Sequence, residues 1–148
     1  MIEKSTTTIP KEATQLVASF AFPASEHLRR KRDIDTLFEK GKSLFVFPYR
    51  ATYRLVEATP SSPSILMMPI VQKRLFKHAV DRNRNKRRIR EAFRLQANPL
   101  RTALKTAGLQ LHIAFLLASK EEIEWQRAHA SIAKILNKIV YAVENRSF

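Results

Sequence analysis

Seven residues within one short window carry the chemistry most evident in this sequence: Arg82, Asn83, Arg84, Lys86, Arg87, Arg88 and Arg90. Around them, residues 71–94 hold ten Lys and Arg against two acids, a net charge of +8. A solvated helix face normally mixes signs, because like charges three or four residues apart repel. Such a run is stabilised when phosphate supplies the counter-charge. Seven of the ten are arginine, whose planar fork grips phosphate at two points and stacks on bases. At about 3.6 residues per turn, Asn85, Ile89, Ala92, Phe93 and Gln96 share one stripe and face inward. Arg84, Arg87 and Arg94 take the opposite stripe, with Asn83 and Arg90 beside them; Arg82 and Lys86 lie nearer the flank. Asp81 is the expected N-cap. A merely solubilising helix is the competing reading. A membrane-surface helix is disfavoured, since the apolar face has few bulky residues to insert.

No second chemistry competes with this one. His27, His78, His112 and His129 are scattered, with no HxH or HExxH spacing. Asp33 and Asp35 stand two apart on an expected helix and diverge. Glu121, Glu122 and Glu124 sit at an expected helix start, where the macrodipole favours acids for structural reasons. Cysteine is absent, which removes disulfides, thiolate zinc sites and thiol catalysis. The expectation is no catalytic residue and no metal ligand set in this chain. Trp125 and the Met67-Met68 pair read as core.

The whole chain supports a polyanion partner. Its 148 residues carry +14, with a pI near 10.7 and 45% apolar residues, enough for one real core. No apolar run approaches the roughly 20 residues that span a bilayer, and residues 1–10 lack the apolar stretch of a secretory signal. A cytoplasmic protein facing nucleic acid, without a membrane partner, is expected. A DNA-binding helix-turn-helix is disfavoured for want of a preceding helix with a tight glycine turn.

These residues need a scaffold. Residues 1–22 read as a disordered tail and 23–148 as one domain. A helix begins near Ser25, with Leu28, Ile34, Leu37 and Phe38 as its apolar stripe and Gly41 at its end. From Leu44 to Val56 a strand alternates Tyr49, Ala51, Tyr53 and Leu55 with Arg50, Thr52 and Arg54. A second strand, Ser64 to Gln72, contains Pro69, which argues for an edge; the two read as a hairpin. The basic helix runs to Asn98-Pro99, and Leu100 to Thr106 adds a turn before Gly108. A third strand, Leu109 to Ala118, leads through a capping box at Ser119 to Glu122 into a helix ending near residue 143. The class is α+β, helices on a small, mostly antiparallel sheet.

The run Arg82-Asn83-Arg84-Asn85-Lys86-Arg87, followed by Arg90 and Phe93, resembles the RNR signature of the protein subunit of bacterial ribonuclease P. The likeness extends over residues 25–145, through the Leu37-Phe38 to Gly41 helix end, the Lys73-Arg74 pair and the last strand and helix. It implies the order α-β-β-β-α-β-α with a left-handed crossover, an exception to the usual hand. This is the ribonuclease P protein-like fold, shared with a domain of a small-subunit ribosomal protein; one strand of that count is missing above, which a break within Leu44 to Val56 would supply. The resemblance also implies that a large RNA, using magnesium, removes the 5′ leader of precursor tRNA. The protein would be its monomeric 1:1 partner. Arg82, Asn83, Arg84, Lys86, Arg87 and Arg90, with Arg88 in the same run, would contact the catalytic RNA. A cleft between sheet and first helix, edged by Lys73 and Arg74, would hold the leader. Cleft aromatics of the family fall here on Ile34 and Thr52, and Arg50 and Arg54 on the same face would substitute phosphate contacts for stacking. Leu75-Phe76-Lys77-His78 replaces a glycine-containing loop. A ribosomal or other structural RNA-binding protein is the alternative.

Overall fold

The computed structural model describes residues 26–145; the expected tail, residues 1–22, lies outside the described residues. The elements are α1 (Lys31–Lys40), β1 (Lys42–Val46), β2 (Tyr49–Glu57), β3 (Ile65–Ile70), α2 (Ala79–Gln96), α3 (Asn98–Ala107), β4 (Leu109–Leu117) and α4 (Trp125–Glu144). The sheet runs β1-β2-β4-β3, with β1–β2 and β2–β4 antiparallel and β3–β4 parallel.

Three layers follow from how each strand divides its side chains. Tyr49, Ala51, Tyr53, Ile65, Met67, Leu111, Ile113, Phe115 and Leu117 are buried on one face. They join Ile89 and Phe93 of α2, Leu100 and Leu104 of α3, and Ile132, Ile135 and Ile139 of α4 in a single core. The opposite face builds a smaller core from Leu28, Leu37 and Ala114, with Ile34, Leu66, Met68 and Ile70 packed against it. α1 therefore lies on one side of the sheet and α2 to α4 on the other. β4 is paired on both edges and covered on both faces, so it reads as a nearly continuous apolar run.

Several expectations change. The stretch Leu44 to Val56 is two strands, because Phe47-Pro48 turns the chain, and Val46 pairs with Tyr49 across that turn. The missing strand is found there. β2 and β3 are not a hairpin: β4 inserts between them, and β3 takes the edge that Pro69 anticipated. The first helix starts at Lys31 rather than Ser25, since Leu28 N–H donates to Met67 O at 3.0 Å and spends that segment on β3. His78, not Asp81, stands at the N-cap position of α2, without a side-chain cap, and its carbonyl accepts from Arg82 N–H at 3.1 Å. Asn98-Pro99 opens a full helix, because proline is tolerated in a first turn where its missing N–H has no partner to lose. The Ser119 capping box does not form: Ser119 Oγ accepts from Glu121 N–H at 3.1 Å in a local turn, and α4 starts at Trp125.

Gly41 ends α1 as expected, though not for a left-handed backbone. Its N–H donates to Leu37 O at 2.8 Å. A Cβ there would stand 2.4 Å from Leu37 O and 3.0 Å from Tyr53 O, so the close approach of α1 to β2 requires glycine.

Candidate RNA interface

α2 is built from strong helix formers and pinned by one stripe. Asn85, Ile89, Ala92 and Phe93 are buried, at the spacing expected of an inward face. Asn85 meets its burial by donating Nδ2–H to Asp81 O at 2.9 Å. With that face fixed, Asn83, Arg84 and Arg87 must point outward, and all three are exposed. Lys86 and Arg90 are half-buried.

The basic residues divide by what they touch. Arg82 donates to Phe76 O at 2.9 Å and Lys77 O at 2.8 Å, folding the loop before α2 onto the helix. Buried Phe76 anchors the same loop, so a side chain and a guanidinium hold it against the helix. Arg88 donates to Ile123 O at 2.7 Å and approaches Glu122 at 3.7 Å, mooring the segment before α4. Arg88 also bears on the core: burial pushes the Tyr49 phenol up to about 12, and the Arg88 charge works against that rise. Arg84 donates Nε–H to Glu122 Oε1 and an NH2 hydrogen to Asp81 Oδ1, both at 2.6 Å. Its pKa is raised, first by the Glu122 hydrogen bond. Asn83 and Arg87 are exposed and carry no ion pair among the described residues. Arg90 Nε is buried with no hydrogen-bond partner among them.

The sheet face under α1 departs from a single cleft wall. Arg50 is exposed, with its guanidinium 5.4 Å from the Phe45 ring centre, its register partner on β1. Lys73 and Arg74 are exposed just past the end of β3. Thr52 is only 8% exposed and packs at Gly41, so it is no open contact for RNA. Ile34 is half-buried in the smaller core. Arg54 lines a separate pocket at the N-terminal end of α1.

Exposed aromatics were the signal missed. Phe38, Phe45 and Phe47 are each about half exposed, and Trp125 is 40% exposed and tilted against His129, so Trp125 is not core. Phe38 leaves the apolar stripe assigned to it. Phe47 receives Arg127 at 5.1 Å, and its carbonyl accepts from Ser131 Oγ at 2.7 Å. Rings paired with cations suit stacking on unpaired bases. Reading Pro48 as a turn would have set Phe45 opposite Arg50.

Among the described residues, no group of three or more His, Cys, Asp or Glu is placed to hold a metal ion. No helix among them is long and apolar enough to cross a membrane.

Known proteins resemble the chain in sequence and in fold. The ribonuclease P protein components of Porphyromonas gingivalis and Chlorobaculum tepidum are 34% and 35% identical to it, over 82% and 81% of this chain and 88% and 83% of theirs. The solved ribonuclease P proteins of Staphylococcus aureus and Thermotoga maritima superpose with TM-scores of 0.56 and 0.57, at 20% and 22% identity. They are matched over 94% and 96% of their length and over 77% and 76% of this chain, and show a shared fold. The model of the Ribonuclease P family matches residues 22–140, and the chain belongs to that family.

Proposed function

We propose that this chain is the protein subunit of a ribonuclease P ribonucleoprotein that matures the 5′ ends of tRNAs. α2 docks on the catalytic RNA through Asn83, Arg84 and Arg87, with Lys86 and Arg90 at the margins. The Arg50–Phe45 pair, with Lys73 and Arg74, holds the unpaired leader of precursor tRNA. The RNA, with magnesium, performs the cleavage. The observation that carries this reading is the outward basic row of a helix whose inner stripe is fully buried. Phosphate contacts from such a row position the two molecules, and the aromatic–arginine pair adds tolerance for any base. The proposed assembly is one protein per RNA in the cytoplasm.

The test is precursor-tRNA cleavage by a ribonuclease P RNA at limiting magnesium. Added protein should raise the rate, and protein without RNA should produce no mature 5′ end. Specific maturation by the protein alone, or no effect on the RNA, overturns the proposal. Salt dependence gives a second expectation. If about six phosphates are neutralised, log K should fall with log salt at a slope of roughly −4 to −5. A slope shallower than about −2 would mean that α2 is not the docking surface.

A further inference from the structure

Of the outward residues Asn83, Arg84 and Arg87, only Arg84 holds carboxylates among the described residues, those of Asp81 and Glu122. Asp81 has a local reason to be there. It lies in the first turn of α2, three residues before Arg84, where an acid also answers the positive end of the helix. Glu122 has no such reason. α4 begins at Trp125 with Glu124 at its N-cap, so Glu122 stands outside that helix, beyond the turn over which the dipole acts. It reaches Arg84 from 38 residues away in the chain.

The approach is built into the fold. Ile123, the next residue, is 6% exposed in the main core, and its carbonyl accepts from Arg88 NH1 at 2.7 Å. That fixes the backbone beside α2 and delivers the Glu122 carboxylate to the basic row. Its Oε1 accepts Nε–H of Arg84 at 2.6 Å and lies against NH2, while Oε2 stands 3.7 Å from Arg88. Arg84 NH2 also donates to Asp81 Oδ1 at 2.6 Å. A guanidinium grips phosphate at two points through Nε and NH2, or through NH1 and NH2. Both edges use NH2, and here NH2 is committed to carboxylates.

We propose that Glu122 is an intramolecular stand-in for RNA phosphate, which occupies Arg84 in the free protein and leaves it when RNA docks. The inference rests on the reading that α2 is the docking surface, and it makes Glu122 a residue that limits RNA affinity. An exposed ion pair contributes little to folding, so stability does not account for a carboxylate aimed into a basic row. In competition with RNA the same pair opposes docking directly, because Arg84 must give up one anion to take another. The pair is able to open: the Arg84 and Glu122 side chains are 43% and 44% exposed. Glu122 also lines a hollow of about 310 Å³ with Phe47, Ile123 and Arg127. There the displaced carboxylate has room, and Arg127 offers it a second cation.

The test titrates the full chain into a ribonuclease P RNA at about 0.15 M salt, where exposed charges more than about 8 Å apart are largely screened. Glu122→Ala should tighten binding about threefold to fivefold, the upper range for an exposed ion pair. Glu122→Gln, which keeps the length and loses the charge, should shift affinity the same way. Glu121→Ala removes an equal charge one residue away and should change affinity by less than about 1.5-fold under that screening. In an Arg84→Ala background the gain from Glu122→Ala should shrink to that of Glu121→Ala, the signature of a direct contact between the two side chains. Melting temperatures near wild type confirm that each variant is folded. Unchanged or weaker binding by both Glu122 variants overturns the proposal, weaker binding making the carboxylate a positioning residue for Arg84. An equal gain from Glu121→Ala, or one that persists in full without Arg84, also overturns it, because general charge would then suffice. Those results leave α2 as the docking surface, provided that Arg84→Ala itself weakens binding. Affinity indifferent to Arg84→Ala overturns the proposal and takes Arg84 out of the docking row.

Discussion

Replacing Arg84 and Arg87 together with alanine is expected to weaken assembly with the catalytic RNA by about a hundredfold or more. A charge-assisted hydrogen bond to phosphate contributes about 1.5–3 kcal/mol when formed, and two lost contacts multiply. The two residues should contribute unequally. Arg87 is exposed with no ion pair among the described residues, whereas Arg84 already donates to Glu122 and Asp81. Arg84 must exchange those carboxylates for phosphate, so the single Arg87→Ala variant should lose more than Arg84→Ala. Neither side chain belongs to the buried stripe, and the melting temperature should stay close to wild type. Substrate discrimination separates this surface from the sheet. Arg50→Ala should leave assembly nearly intact and weaken only substrates with long leaders. Titrations of protein into RNA, and of holoenzyme into substrates of graded leader length, measure both. Wild-type assembly by a folded Arg84/Arg87 double variant would remove α2 from the docking surface.

How much of this was readable beforehand depended on whether one local rule decided the outcome. The buried stripe Asn85, Ile89, Ala92 and Phe93 follows from helical period alone, and it fixes the outward row by exclusion. Gly41 and the edge position of Pro69 were likewise set by local sterics and hydrogen bonding. Where a second segment decides, the local signal fails. Tyr49, Ala51 and Tyr53 alternate identically whether β2 pairs with β3 or with β4, and only the insertion of β4 rules out the hairpin. Ser119 satisfies the capping-box pattern, yet Arg88 and Arg84 hold the following residues against α2 and delay the helix to Trp125. Thr52 and Arg54 share a face with Arg50, but α1 closes over Thr52 and parts the other two. The same contact that makes Gly41 necessary divides the α1-covered side of the sheet. Helix placement across a sheet is a tertiary fact, and no spacing along β2 encodes it.

The outward basic row, proposed above to dock RNA, is only as well placed as the stripe behind it, and Phe93 is the largest buried side chain of that stripe. Phe93 is fully buried and meets Phe115 of β4 edge-on, with ring centres 6.2 Å apart. Arg101 of α3 lies over the same ring at 5.9 Å. Arg101 is itself fixed by Glu26, through Nε at 3.0 Å and NH2 at 2.7 Å. Truncating Phe93 to alanine therefore opens a cavity where α2, α3 and β4 meet and loosens an ion pair reaching the start of the described chain. The expected loss is about 3–5 kcal/mol, the range for buried Phe→Ala changes. Leu95, two residues on and half exposed, should lose under about 1 kcal/mol on the same truncation, as exposed sites do. RNA at about a hundred times its dissociation constant stabilises the folded state by about 2.7 kcal/mol, less than the Phe93 loss. Urea unfolding with and without the RNA subunit should then show Phe93→Ala still less stable than free wild type when RNA is present. A loss below about 1 kcal/mol for Phe93→Ala would show that α2 is held in place by something other than this ring, and the outward row would need another cause.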